Sequence, residues 1–232
     1  MTIKYYPDMI QGSEEWLEVR RGILTASEMK LIITPAKLEY ASNEKERTHL
    51  YDLAGQRISG YVEPGYMGDA MLRGKEDEIL ARAAYNDHYH PVIECGFVTN
   101  DKYGFTLGYS PDGLVGDDGQ IEAKSRMHKF QVETIISDKM PDDFKIQVQT
   151  GLLISERAWC DFISYSAGLP MKMIRIPADT EVQGKILLAA TTFHQRLGDA
   201  MKKYQEMLED PKNRLIPTKR REPLKMMTGE TT

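Results

Sequence analysis

The stretch YSPDGLVGDDGQIEAKS, residues 109–125, constrains this chain more than any other. Two short extended runs, 113–115 and 120–124, flank Asp117, Asp118 and Gly119, an Asp-Gly signal for a β-hairpin turn. Side chains alternate along a strand, so Ile121 and Ala123 face one way and Glu122 and Lys124 the other, like-facing residues standing about 7 Å apart. Asp112 sits where the first run starts, and a hairpin would bring it beside Glu122. Two carboxylates and an ammonium would then share one surface. That surface is either a solvated acidic turn, the ordinary place for carboxylates near a hairpin, or a seat for a hard cation.

The second alternative has a definite chemistry. Phosphodiester hydrolysis needs a cation to offset the phosphate charge and to acidify water. Mg2+ prefers oxygen donors, keeps several waters and often takes only one or two protein carboxylates. Asp112 and Glu122 meet that demand, and the backbone carbonyl of Ala123 offers a third oxygen. Lys124, a compact charge on a flexible stem, can position the attacking water or steady the developing charge.

Around this hairpin the chain of 232 residues reads as one α/β domain, 1–210, followed by a basic, Pro-containing tail, 211–232, expected to be poorly ordered. Helical patterns fall at 13–19, with Ser13 as N-cap, and at 25–33, where Thr25 and Glu28 make a capping-box pattern. Others fall at 44–58, 130–137, 143–154 and 69–87, the last with Met71, Leu72, Ile79, Leu80 and Ala83 as its apolar face. Strands are expected at 92–98, 105–109, the hairpin, 159–166 and 171–176. A final helix, 181–208, carries an apolar stripe from Val182 to Leu208 that suits a core or a subunit interface. The fold class is a central mixed sheet of about five strands flanked by helices.

Composition excludes several classes. No apolar run approaches the roughly 20 residues of a membrane span, and the first residues lack the apolar core of a signal peptide. Cys95 and Cys160 suggest buried thiols in a reducing compartment, with pairing between them left open. A formal net charge of −5 does not suit a protein that coats DNA non-specifically. It leaves room for a nucleic-acid enzyme, since carboxylates that hold cations count as negative until the ions bind. Basic residues cluster at Arg20 and Arg21, and again at Lys219, Arg220 and Arg221. The histidines make no zinc set: His88 and His90 lie in a loop-like stretch before Pro91 without further ligands.

Pro111-Asp112 followed by Glu122-Ala123-Lys124 resembles the active-site hairpin of the PD-(D/E)XK nuclease superfamily, whose core is restriction-endonuclease-like. Three more blocks resemble the phage lambda exonuclease (YqaJ-like viral recombinase) family within it. WLEVRRGILTASEM, 16–29, is similar to its N-terminal W-x-x-x-R-x-G-x-[IL]-T-A-S-E block. RGKEDE, 73–78, is similar to its G-K-x-x-E helix, and IQVQTGLLIS, 146–155, to its Q-V-Q helix. All four blocks occur in the family's order. The chain departs from the pattern after Lys124, where Ser125-Arg126 stands and many relatives soon have a proline.

The resemblance implies roles. Asp112 and Glu122 match metal ligands, Lys124 the catalytic lysine, and Glu78 the helical glutamate that assists the metal. Arg20, Ser27, Ser110 and Gln147 match positions holding the 5′-phosphate end or the adjacent backbone. The implied activity is 5′→3′ exonuclease digestion of linear double-stranded DNA to mononucleotides, leaving a 3′ single strand for phage-type recombination. It implies two Mg2+ ions, with Mn2+ able to substitute, a single-strand annealing protein as partner, a homotrimeric ring, and the bacterial cytoplasm with a phage or prophage gene. A structure- or site-specific endonuclease of the same fold and a non-catalytic DNA-end-binding module are the competing readings.

Residue types alone also admit plainer roles. Glu78 can pair with Lys75 on a helix surface, with Glu76 and Asp77 beside it in solvent. Gln147 and Gln149 cannot both face the hairpin, being about 200° apart on a helix. Trp16 and the other large aromatics suit packing.

Overall fold

The computed structural model describes residues 2–63 and 68–219. Arg220, Arg221 and the rest of the tail lie outside the described residues. The strands form two four-stranded sheets. The first has the order β1 (Ile3–Tyr6), β3 (Phe97–Asn100), β4 (Leu107–Tyr109), β2 (Leu24–Thr25). The second, mixed and carrying the hairpin, runs β5 (Gly113–Val115), β6 (Gly119–Ser125), β7 (Trp159–Tyr165), β8 (Lys172–Pro177). β5 and β6 are antiparallel, β6 and β7 parallel, β7 and β8 antiparallel.

Helices close both faces of the second sheet. α3 (Asp69–His88) lays Ala81 and Tyr85 on Ile121, Ala123 and Ile163. α5 (Lys145–Ser155) packs Val148 and Leu152 against Cys160 and Phe162 on the opposite face. β6 therefore alternates as expected, with Ile121 and Ala123 toward α3 and Glu122 toward α5. Both cysteines are free and buried. A larger core gathers β2, α2 (Glu44–Ser59), α5 and α6 (Thr180–Glu209) around Leu24, Leu53, Ile154, Ile186 and Phe193. Along α6 the apolar stripe is buried through Leu197, whereas Tyr204 and Leu208 are exposed. α1 (Glu14–Arg20) starts at Ser13, whose hydroxyl accepts from the Trp16 N–H, and α4 (His128–Ser137) follows β6.

Four local expectations are corrected. The segment 25–33 is not an α-helix. Leu24 and Thr25 pair in parallel with Leu107 and Gly108, and the Ala26 N–H extends this pairing to the Gly108 carbonyl at 2.9 Å. Only a 3-10 turn, Met29–Leu31, follows. The pairing requires extended backbone where a capping box would begin a helix. Thr25 and Glu28 still meet, but side chain to side chain at 2.6 Å.

The second correction is the rotation of α3. Its most apolar side is solvent-facing, with Met71, Leu72, Ile79 and Leu80 each about half exposed. The buried positions are Asp77, Ala81 and Tyr85, four residues apart. Polar partners on the sheet decide this: the Ser125 hydroxyl donates to Asp77 at 2.5 Å and the Tyr85 hydroxyl to Asp161 at 2.6 Å. Asp161 is fully buried and also takes two 2.8 Å bonds from Arg175. Turning α3 by half a revolution would take the Tyr85 donor from the buried Asp161 and the Asp77 acceptor from Ser125, a larger loss than a few exposed methyl groups.

Third, the strand expected at 92–98 begins only at Phe97, and before it Ile93 makes an isolated bridge to Leu114. Fourth, the hairpin turn is Gly116–Asp117–Asp118. Gly116 takes the left-handed conformation, and Gly119 already pairs with Val115. The side chain of a residue at 119 would also collide with the indole of Trp159.

Gly151 sets how closely α5 approaches the sheets. A Cβ there would lie 2.8 Å from the ring of Tyr109. Gly151 and Gln147 are four apart and share a helix face, so this approach also fixes where Gln147 points. Gly151→Ala is expected to gain helix propensity of about 1 kcal/mol but lose about 1–3 kcal/mol to overpacking. The melting temperature should fall, and thermal denaturation checks it; an unchanged or higher value would show that Tyr109 yields freely.

Candidate active site

One helix, the hairpin and a β4 tyrosine converge on one carboxylate. Glu122, 1% exposed, receives Lys124 Nζ at 2.6 Å and Gln147 Nε2 at 2.5 Å on Oε1, and the Tyr109 hydroxyl at 3.0 Å on Oε2. Asp112, just before β5, accepts the Ala123 N–H on Oδ2 at 2.6 Å. Its Oδ1 carries no hydrogen bond among the described residues. In a strand a residue's N–H and C=O point to the same edge. The Ala123 carbonyl therefore also faces the Asp112 side, beyond the last β5–β6 pair, Gly113 with Ile121. Gln149, as geometry requires, points away and donates to the Pro177 carbonyl at 2.9 Å.

The electrostatics follow from burial. Burial, and then the negative charge of Glu122, pushes the Asp112 carboxyl well above the usual carboxylate range. Burial also raises Glu78, against the opposing pull of Arg82. For Lys124 burial acts downward, but the carboxylates of Glu122 and Asp112 outweigh it and raise the ammonium above its ordinary value. Burial, with Glu122 adding to it, raises Tyr109 likewise, so its phenol stays a donor.

Glu78 does not pair with Lys75. It lies four residues before Arg82, whose Nη1 stands 3.3 Å from Glu78 Oε1 and 3.1 Å from the Asp112 carbonyl. Arg82 Nη2 also meets Glu94 at 3.3 Å. Among the described residues no three His, Cys, Asp or Glu side chains converge on a single ion position. The donor set is thus two carboxylates and a carbonyl oxygen, with Glu78 at its margin. That fits a hard cation that keeps most of its waters, and a buried Asp112 whose ionisation burial disfavours is what such a cation relieves. Asp77, expected at the surface, is buried and holds Ser125, so the residues beside Glu78 and Lys124 are tied together.

A second cluster abuts the first. Arg20 lies on the indole face of Trp16, 4.2 Å from the ring centroid, and its Nη2 is 3.5 Å from Glu28 Oε1. Trp16 Nε1 donates to Ser110 Oγ at 3.0 Å. Ser110 is two residues from Asp112, which joins this cluster to the carboxylates. Ser27 is exposed, its hydroxyl 3.3 Å from that of Thr25. It stands before the three-residue 3-10 turn, Met29–Leu31, and not in the first turn of a capped α-helix.

The sequence of residues 15–158 matches the YqaJ-like viral recombinase domain. The chain belongs to that family. It is similar to the crystal structure of an alkaline exonuclease (LHK-Exo) from Laribacter hongkongensis at 31% identity, with a TM-score of 0.74, covering 84% of this chain and 97% of that one. The same figures hold for LHK-Exo in complex with dAMP. A phage-related exonuclease from Haemophilus somnus 129PT, at 13% identity and a TM-score of 0.53 over 77% of this chain and 96% of that one, shares the fold. No curated protein matches.

Within this YqaJ-like chain the structure brings together Asp112, Glu122, Ala123, Lys124 and Gln147, with Glu78 alongside, and sets Arg20 and Ser110 on a linked cluster with Ser27 at its rim. Sequence reasoning missed Tyr109, Arg82, Asp77 and the orienting part of Trp16. Trp16 and Arg20 stand at i, i+4 on α1, a spacing that signals a cation–aromatic pair. Tyr109 gave no signal beyond its place at the hairpin's entrance.

Because the folded chain disfavours ionised Asp112, this carboxylate costs stability at neutral and alkaline pH. The cost is full above the raised folded-state value and fades as pH falls through it toward the ordinary carboxylate range. Asp112→Asn keeps an oxygen for the Ala123 N–H and removes the charge. In metal-free buffer at pH 8 it should raise the melting temperature, about 2–4 °C per kcal/mol for a chain of this size. The gain should shrink as pH is lowered. A gain equal at every pH would assign the effect to something other than charge.

Proposed function

We propose that the protein is a metal-dependent 5′→3′ exonuclease acting on linear double-stranded DNA, releasing 5′-mononucleotides and leaving a 3′ single strand for a single-strand annealing partner. The observation that carries this reading is the convergence of Lys124, Gln147 and Tyr109 on the buried Glu122, beside Asp112, with the Arg20 cluster bonded to the same hairpin through Ser110. The similarity to an alkaline exonuclease, also known with dAMP bound, supports a nuclease that handles nucleoside monophosphates.

In this reading Asp112, Glu122 and the Ala123 carbonyl hold Mg2+, with Glu78 supporting a second ion or its water, and Mn2+ able to replace it. The cation supplies charge neutralisation at the phosphate and acidifies the attacking water. Lys124 stays an ammonium among three carboxylates, so it acts as a donor: it orients the water and steadies charge on the phosphate oxygens. Gln147 and Tyr109 fix the Glu122 rotamer. Arg20 grips the terminal 5′-phosphate through its planar fork, Trp16 holding it flat, while Ser27 and Ser110 offer hydroxyls. Glu28 must release Arg20 when the phosphate arrives; at 3.5 Å and partly exposed, that pair is weak. An acidic chain that stays on a polyanion at physiological salt is served by a closed homotrimeric ring, which light scattering at three times the chain mass would register.

One gel tests the core of this. Linear duplex should be degraded with Mg2+ and spared with EDTA, while covalently closed circles survive both. Asp112→Ala and Glu122→Ala should abolish cleavage, and Lys124→Ala should slow it by about 10²–10³-fold. Cleavage of closed circles would favour the endonuclease reading, and full activity of Asp112→Ala would discard the site.

Arg20→Ala should slow digestion of 5′-phosphorylated ends about tenfold more than of 5′-hydroxyl ends, since only the first offers the phosphate. An equal loss on both ends would remove Arg20 from the end-binding pocket.

A further inference from the structure

We propose that Arg126 binds a backbone phosphate of the DNA strand immediately next to the one being cut, an inference that rests on the nuclease reading above. Arg126 directly follows β6, two residues past Lys124 and within the stretch where the chain departs from the family's pattern. Its backbone is fixed, its N–H donating to the Tyr165 carbonyl at 2.7 Å. Its guanidinium lies between two phenyl rings, 5.1 Å from the centroid of Phe130 and 5.3 Å from that of Phe144.

The group is held but not satisfied. Nε is buried without a hydrogen-bond partner, and among the described residues the guanidinium makes no side-chain hydrogen bond or ion pair. The five other described arginines of comparable burial all end on a carboxylate or a backbone carbonyl: Arg20, Arg21, Arg82, Arg157 and Arg196. A guanidinium stays charged at any working pH. One that the fold immobilises against aromatic rings, with no anion supplied by the chain, is preorganised for an anion from outside. The terminal nitrogens reach solvent and are the donors available to it. No carboxylate competes from the first turn of α4, which holds Lys129 instead.

Position identifies the anion. The ring of Phe144 also lies 5.8 Å from Lys124 Nζ. Adding the two distances through that centroid places the two cationic groups within about 11 Å of each other. A strand whose scissile phosphate is at Lys124 must carry its neighbouring phosphates past this wall. Base stacking is the weaker role for these rings, because Lys129 Nζ also sits 4.8 Å from the Phe130 centroid, and Phe144 is shared by Lys124 and Arg126. The rings serve the cations.

The test uses full-length protein and duplexes with a 5′-phosphate in which one phosphate adjacent to the scissile one, on each side in turn, is a neutral methylphosphonate. Binding is read by fluorescence anisotropy in Ca2+ or EDTA, and KM and kcat in Mg2+. Arg126→Ala should weaken binding and raise KM about tenfold, with kcat moving less. It should also lower the slope of log K against log salt by about one. At one of the two positions the methylphosphonate should weaken wild type but not Arg126→Ala. Arg126→Met, which keeps a stem between the rings, controls for folding and should match Arg126→Ala in binding. Unchanged KM and salt slope, or equal methylphosphonate losses in wild type and variant at both positions, would overturn the assignment. Failure of the nuclease reading is separate: it would appear as no Mg2+-dependent cleavage by wild type, whereas the anisotropy measurements need no cleavage.

Discussion

A buried carboxylate held by three donors organises this protein. Glu122 is nearly inaccessible, and its two oxygens are held by an ammonium, an amide and a phenol from three different elements. Each donor depends on a separate packing decision. Lys124 requires the alternation of β6, Gln147 requires the rotation of α5, and Tyr109 requires β4 to end where the hairpin begins. The large core around Leu24, Leu53 and Phe193 brings β4 and α5 together, and the two smaller clusters press α3 and α5 onto opposite faces of the second sheet. Hydrophobic burial supplies the stability, and the polar contacts choose the arrangement.

Much of the site was legible in the sequence because it is local. Asp112, Glu122 and Lys124 lie within thirteen residues, and period-two alternation alone separates Glu122 and Lys124 from Ile121 and Ala123. The choice of Gln147 over Gln149 followed from helix geometry. The long-range parts were less visible. Segment 25–33 has the letters of a capped helix, but its conformation is set by Gly108, over eighty residues away. α3 shows an apolar face by spacing, yet Asp77 and Tyr85 answer Ser125 and Asp161, partners that no window along α3 contains. Periodicity reports where apolar groups recur, and it cannot report which buried polar groups elsewhere need a donor.

The arrangement also explains why single residue types would mislead. Glu76, Asp77 and Glu78 are consecutive acids with three fates. Glu76 is in solvent, Asp77 is a buried strut to β6, and Glu78 is joined through Arg82 to the Asp112 carbonyl. The helix separates them by 100° steps, so one run of like charges serves the surface, the scaffold and the site. Trp16 is similar: its ring packs edge-on to Phe97, its face carries Arg20, and its N–H anchors Ser110.

The link from Ser110 to Asp112 has a further meaning. Only Pro111 separates them, its ring fixing φ near −65°, and two residue steps span no more than about 7 Å. Trp16, with Arg20 stacked on its ring, is bonded to one end of this short rigid span, and Asp112 of the carboxylate pair stands at the other. In an enzyme that seats a strand terminus at Arg20 and cuts at Asp112, that span is a ruler. Product length is then written in the backbone rather than in the substrate, and lengthening the segment by a residue would change the size of what is released before it changed the chemistry.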